Sequence, residues 1–261
     1  MSLDFTWDTT SALTKGYTTH NVYGRDLLSQ KRFSVESPDK DGITEIGKKF
    51  SSNIVRAEGR IVGTSYSNLE TSIIPAFIAY LYKDTDVQLI FSDKTDRHYN
   101  AQMDSYNYSL YASAWRLMEL FFLCSDPFAY AVTADTDTHA GIVVVGTQYT
   151  LSNTGHYYCY PTITITFNQA QTHIYIANNN ITGNRFDISK SFEDEDVLVV
   201  NCKNQVIELN DVDSPAGLGD GGDNKASMIM LAVGNNQIEV GTDDADIDVD
   251  VTIEWNKVYL S

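Results

Sequence analysis

From Gly141 onward the chain is written almost wholly in short β-prone runs. Nine can be read in order: GIVVVGTQYTLSN, PTITITF, THIYIANNN, RFDISKSF, VLVVNCKN, QVIELND, MIMLAVGNN, QIEVGT and DVDVTIEWNKVYL. Asn, Gly and Asp turns separate them at regular spacing. A chain that turns back this often, with β-branched residues between the turns, predicts a β-sandwich or barrel. The 16 tyrosines of the whole chain favour strands as well.

The N-terminal half is more mixed. KRFSVESPDKDGITEIGKKF, with Pro38, Gly42 and Gly47 among charges, reads as a long exposed loop or arm between short strands. NIVRAEGRIVGTSY reads as a strand. The period then changes: Leu69, Ile73, Phe77 and Leu81 recur every four residues, with Ile74 and Ile78 beside them, which is one face of a helix. Ser67 and Glu70 fit a capping box. Pro75 conflicts with a regular helix, so the helix starts there or kinks there. Beyond it, VQLIFSDKTDRHYNAQMDSYNYSL reads as strand, turn, strand. SAWRLMELFFLC places Trp115, Leu117, Glu119, Phe121 and Leu123 on one face, and Arg116, Met118, Leu120, Phe122 and Cys124 on the other. Both faces are largely apolar, so the strand is expected to lie buried between layers. It stops at Asp126-Pro127. Pro127 has no N–H to continue a ladder, and Asp126 can accept turn hydrogen bonds. Phe128 and Tyr130 are then expected to fold back on the layer just left.

Charge and cysteine usage exclude several classes. The net charge is −17, and residues 139–261 hold 5 basic and 17 acidic residues. With no Lys/Arg cluster to track phosphates, nucleic-acid binding is rejected as a main role, and anionic membranes are repelled too. MSLDFTWDTT lacks the basic and apolar regions of a signal peptide, and Ile73–Tyr82 is too short to span a bilayer. Folding in a cytoplasm is expected. Cys124, Cys159 and Cys202 are far apart, without CxxC spacing, and read as buried free thiols. TADTDTHAG and the rise in negative charge suggest a domain boundary near 135–150.

Motifs for chemistry are missing. His20, His98, His139, His156 and His173 form no HExxH and read as isolated surface or loop histidines. Asp243–Asp250, DDADIDVD, lacks the Gly and terminal Glu of a calcium loop, and reads as a strand with a wet carboxylate face. There is no G-x-S-x-G elbow, and GLGDGGDNK (Gly217–Lys225) has the glycines but not the pattern of a phosphate loop. It reads as a hairpin tip or loop. No catalytic, metal-binding or cofactor-binding residue is assigned. Tyr157 and Tyr158 in GHYYCYP, with Tyr160 beside them, are the candidate ligand contacts, since aromatic faces stack on sugar rings. Packing is the competing reading for them, weighted at about two to one.

The order of these features resembles the distal tail (Dit) proteins of siphophages. A strand ends in Asp126-Pro127-Phe128. Asn153-Thr154-Gly155 comes before Pro161, and Gly234-Asn235-Asn236 lies near the end. The resemblance runs from about Arg56 to Leu260, and the acidic segment 211–225 departs from it as a loop insertion. It implies a mainly β fold with two parts. Residues 1–138 would be a β-rich, ring-forming domain with one helix, and residues 139–261 a galectin-like β-sandwich. It also implies a homohexameric ring in the virion tail, assembled in the host cytoplasm. That ring would join the tail tube protein to the tail-tip hub protein and carry a receptor-binding protein or other adsorption apparatus. No catalysis and no cofactor are implied. A negative chain without a basic patch suits a lumen through which DNA slides. The 34–49 segment could dock across a subunit boundary. The alternative reading is a carbohydrate-binding module contacting host cell-wall glycan, and a cell-wall hydrolase is a further rival.

Overall fold

The computed structural model describes residues 3–25, 28–36, 43–109, 114–213 and 228–260. The chain divides into two units, Met1–Val132 with Leu260–Ser261, and Thr133–Tyr259.

In unit 1 the strands are β1 (Phe5–Trp7), β2 (Thr10–Ser11), β3 (Tyr17–Tyr23), β4 (Gln30–Glu36), β5 (Ile43–Phe50) and β6 (Asn53–Val62). After the helical segment come β7 (Val87–Phe91), β8 (Lys94–Ser109), β9 (Trp115–Cys124) and β10 (Ala129–Ala131). An antiparallel sheet runs β2-β1-β7-β8-β9-β6-β3, with β10 paired to β8. Its inner face meets the helix in an aromatic core. Tyr17 stacks on Phe77 at 5.1 Å, Phe5 meets Phe122 edge-on at 5.4 Å, and Trp7 lies 4.9 Å from Phe122. The Tyr17 hydroxyl, fully buried, donates to the carbonyls of Ala57 (3.2 Å) and Met118 (3.1 Å), which removes the cost of hiding it.

Three expectations for this unit change. The segment read as a loop forms a separate two-stranded hairpin, β4–β5, with a bulge at Phe33/Ser34; its residues 37–42 lie outside the described residues. Charges hid the strand pattern, because neither face of this ribbon has a core to signal. The helix begins earlier than the capping box suggested. Ser65 is the N-cap and accepts from Asn68 N at 3.2 Å, while the Asn68 side chain accepts from Thr64 N at 3.0 Å. Glu70 instead pairs with buried Arg116 at 2.6 Å. From there α1 (Tyr66–Asn68), a π-helical turn (Leu69–Ile73) and α2 (Ile74–Leu81) are continuous. The π turn absorbs the register change and leaves Pro75 in the first turn of α2, where its missing N–H breaks no α-helical bond. Finally, β9 is buried on one face. Met118, Leu120, Phe122 and Cys124 are inaccessible, whereas Leu117 is 40% exposed and Phe121 and Leu123 are half-buried.

The Asp126-Pro127 corner forms as expected. Asp126 accepts from Phe128 N (3.3 Å) and from the Tyr130 hydroxyl, and Tyr130 returns to the sheet opposite His98 of β8; Phe128, against expectation, packs edge-on to Phe50 of the separate β4–β5 ribbon at 5.4 Å.

Unit 2 has β11 (Asp135–Ile142), β12 (Thr147–Asn153), β13 (Thr162–Phe167), β14 (Gln171–Asn178), β15 (Arg185–Phe192) and β16 (Val197–Asn201). It continues with β17 (Val206–Leu209), β18 (Val212–Asp213), β19 (Gly234–Gly241), β20 (Val249–Trp255) and β21 (Val258–Tyr259). Two antiparallel sheets, β11-β20-β13-β16-β17-β18 and β12-β19-β14-β15, form the expected sandwich. Phe167 of the first stacks on Phe192 of the second at 4.2 Å, amid buried Ile163, Ile165, Ile174, Ile176, Val249 and Val251. Of TADTDTHAG, the Asp135–Gly141 portion lies in β11, paired with β20. The glycine-rich stretch Gly217–Lys225 lies outside the described residues.

Candidate functional site

The Tyr157–Tyr160 segment is held by its backbone. Tyr157 and Cys159 bridge to Val258 and Leu231, and His156 N donates to Val258 O at 2.7 Å. The preceding Asn-x-Gly explains how. Asn153, fully buried, accepts from Gly155 N (2.9 Å) and donates to Tyr157 O (3.0 Å) and Leu231 O (3.2 Å). A Cβ at Gly155 would stand 2.8 Å from Val258 O, so a larger residue cannot sit there unchanged. Tyr157 and Tyr158 rings lie 4.1 Å apart, and Tyr160 meets Tyr158 edge-on at 5.6 Å. Tyr158 and Tyr160 are exposed; Tyr157 is half-buried. Burial, then the bond with Tyr158, pushes the Tyr157 hydroxyl up to about 12. The tyrosines singled out in the sequence thus form one cluster, two of them facing solvent.

Asn153 belongs to a larger set that sequence reasoning caught only in part. Asn178 donates to Met230 O (2.7 Å) and to the Asn236 side chain (2.9 Å). Asn184 donates to Met228 O (2.8 Å) and accepts from Met230 N (2.9 Å). Asn236 accepts from Ala232 N and donates to Ala232 O, each at 2.9 Å. These four buried asparagines bond the backbone of Met228–Ala232, which lies in no named strand and is otherwise tied by the Cys159–Leu231 bridge. The motifs Asn-x-Gly and Gly-Asn-Asn are two ends of that clamp. Asn178 ends β14, where burial does not alternate, and Asn184 lies in the turn before β15, so neither carried a signal in the sequence.

The histidine expectation is corrected. His98 and His173 are buried in strands β8 and β14. His173 Nδ1 accepts from Asp243 N (3.0 Å), and its other ring nitrogen bonds Asp187, which also takes Arg185 Nε at 2.6 Å. Burial would raise the Asp187 carboxyl, but the bonds from His173 and Arg185 outweigh it and hold it below the usual range. Arg185 lies 3.8 Å over the Tyr175 ring, and the Tyr175 hydroxyl donates to Glu239 at 2.8 Å. Glu239 also accepts from Asn179 (2.7 Å) and Gln148 (3.0 Å). The outer face of β12-β19-β14-β15 is thus satisfied by its own side chains.

Asp248 and Asp250 accept from Asn168, Asp244 from Thr172, and Ile247, Val249 and Val251 point inward. Among the described residues no group of three or more His, Cys, Asp or Glu is placed to hold a metal ion. No described helix is long and apolar enough to cross a membrane. The three cysteines are free and buried, and burial pushes each thiol up to about 12, away from nucleophilic use.

The outer face of β3-β6-β9-β8 in unit 1 differs. It carries a groove of about 540 Å³ lined by Asn21, Glu58, Asn107, Tyr108, Leu117 and Glu119, among others. Glu58 and Glu119 stand directly opposite each other, and Arg56 reaches both, at 3.2 Å to Glu119.

Residues 154–259 match the family described as "Siphovirus-type tail component, C-terminal domain". The distal tail protein of Bacillus phage SPP1 is 26% identical over 135 residues, a match that spans about half of each chain. The crystal structure of the SPP1 Dit protein, titled a paradigm of hub adsorption apparatus in phages infecting Gram-positive hosts, superposes with a TM-score of 0.78 at 18% identity. It covers 97% of this chain and 98% of that one. The chain thus resembles siphophage distal tail proteins, in sequence over its C-terminal part and in fold over nearly its whole length.

Proposed function

We propose that this chain is the distal tail subunit of a siphophage: a structural protein whose copies close into a hexameric ring. The ring joins the tail tube to the tail-tip hub and carries adsorption apparatus, with unit 1 forming the ring and unit 2 the outward module. The observation that carries this reading is the match in both fold and C-terminal sequence to distal tail proteins. The open, half-apolar face of β3-β6-β9-β8 supports it, since ring subunits need a surface to seal against neighbours. Buried thiols and a self-satisfied His173 favour a structural role over catalysis. Native mass spectrometry of the full chain tests the ring. A six-fold species is expected, and a strict monomer at high concentration, with no assembly on purified tail tubes, would overturn it.

A second reading rests on the exposed rings of Tyr158 and Tyr160 beside Tyr157. In it, unit 2 contacts host cell-wall glycan by stacking sugar rings on this cluster. Pull-down on purified cell walls discriminates. Saturable binding that disappears in a Tyr157→Ala/Tyr158→Ala variant supports it, and binding indifferent to that change removes it.

A further inference from the structure

The hairpin β4–β5 pairs with no other sheet, and a two-stranded ribbon is at best marginally stable in water. Its cross-strand register makes matters worse. Lys31 stands directly opposite Lys49, and Arg32 opposite Lys48. Like charges opposite one another destabilise a ladder. Arg32 has Glu45 at 3.7 Å, but among the described residues Lys31, Lys48 and Lys49 form no ion pair. On one face, Lys31 and Lys49 flank the ring of Phe33 at 5.6 and 5.7 Å, and Phe33 faces Gly47, so the ring stands proud, 37% exposed.

The groove on β3-β6-β9-β8 has the opposite defect. Glu58 faces Glu119 across the ladder, and Arg56 is the guanidinium that reaches both. The groove lining includes Leu117, 40% exposed, on the same face as the two glutamates. One element is an aromatic ring between two cations; the other is a hollow that holds one exposed leucine beside two carboxylates. Each carries a repulsive pair that the other relieves.

We propose that the Phe33 face of β4–β5 seats in the Glu58–Glu119 groove of a second copy of this chain. The proposal rests on the ring reading and names its subunit contact. The knob and the groove are different patches of the chain, so the contact is heterologous, a type that can close into a ring.

Two experiments on the full chain test it. Solution mass is measured for Lys31→Glu/Lys49→Glu, for Glu58→Lys/Glu119→Lys, and for the two sets combined. Each pair alone is expected to weaken self-association at least about tenfold, and the combined variant to recover it. Circular dichroism confirms that each variant folds. In the second experiment a Phe33→Cys variant is mixed with a Leu117→Cys variant under mild oxidant. A disulfide between copies is expected, the native thiols being buried. A multi-copy species indifferent to both reversals and giving no disulfide overturns the contact, assigns the ribbon to another partner and leaves the ring reading standing. A monomer that gives no disulfide at high concentration overturns the contact, and its failure to assemble on tail tubes overturns the ring reading with it.

Discussion

The two units differ in how completely they satisfy themselves. In unit 2 the polar groups on the outer face of β12-β19-β14-β15 bond to one another, and four buried asparagines close the backbone of Met228–Ala232. In unit 1 the inner face is a finished aromatic core, but the outer face exposes Ile54 and Leu117 beside a facing pair of glutamates that share Arg56. Exposed apolar area on a sheet face marks a place for a partner. The comparison therefore supports the proposed assembly through unit 1 and sets it against a unit 2 whose polar groups bond to one another.

The sharpest way to break it is Asn236→Ala. The change removes the part-buried bonds to Ala232 N–H and Ala232 O and one buried bond of the Asn178 amide at once. Several unsatisfied groups at about 1–3 kcal/mol each predict a loss of about 3–5 kcal/mol from unit 2. Urea unfolding followed by hydrogen exchange should show that loss in β14 and β19 and spare β6 and β9. A loss shared equally by both units would mean that the clamp is not local.

Gly155→Ala comes next. Its Cβ would approach Val258 O to 2.8 Å and Val258 N to 3.0 Å, both backbone atoms that cannot swing aside. Overpacking predicts about 2 kcal/mol of destabilisation, read from the unfolding midpoint of unit 2. A neutral effect would show that the Tyr157 segment is free to shift.

Legibility in the sequence followed the same divide. The sandwich could be read because Ile163, Ile165 and Phe167, or Ile247, Val249 and Val251, alternate against a real core. The helix could be read from its period, but not its start, because Ser65 and Asn68 compete with an equally good Ser67/Glu70 pair until Arg116 claims Glu70. The β4–β5 ribbon could not be read at all, since no buried face imposes alternation on it. Of the candidate site, the tyrosine cluster and two of the clamp asparagines were visible as motifs. The groove was not, because it is built from four strands whose register a single sequence does not specify.

Acid titration sharpens the comparison with a smaller effect. Asp187, Asp196, Glu239 and Asp244 in unit 2 are held below their ordinary values of 3.8 or 4.5, as are Asp93 and Asp96 in unit 1. For Asp196, Glu239 and Asp244 the leading cause is a side-chain hydrogen bond, from Asn210, Asn179 and Thr172 respectively. A depressed carboxyl stabilises the folded state above its unfolded pKa. That stability is lost as pH falls through the folded value. With four such groups against two, unit 2 should lose hydrogen-exchange protection faster than unit 1 below about pH 4.5. Equal loss would show that these exposed bonds are screened to insignificance.

The smallest effect separates the two faces of a single strand. Leu120 on β9 is fully buried and Leu117, three residues earlier, is 40% exposed. Leu120→Ala should cost about 2–5 kcal/mol, as buried leucines do. Leu117→Ser should change the stability of the isolated chain by less than about 0.5 kcal/mol, because water already covers much of that side chain. Thermal unfolding of dilute protein measures both. If Leu117→Ser costs as much as Leu120→Ala, the outer face is part of the fold's own core. Unit 1 would then have no unmet surface to set against unit 2. If it costs almost nothing, the apolar character of that face is not explained by folding, and the reason for it must be sought in what binds there.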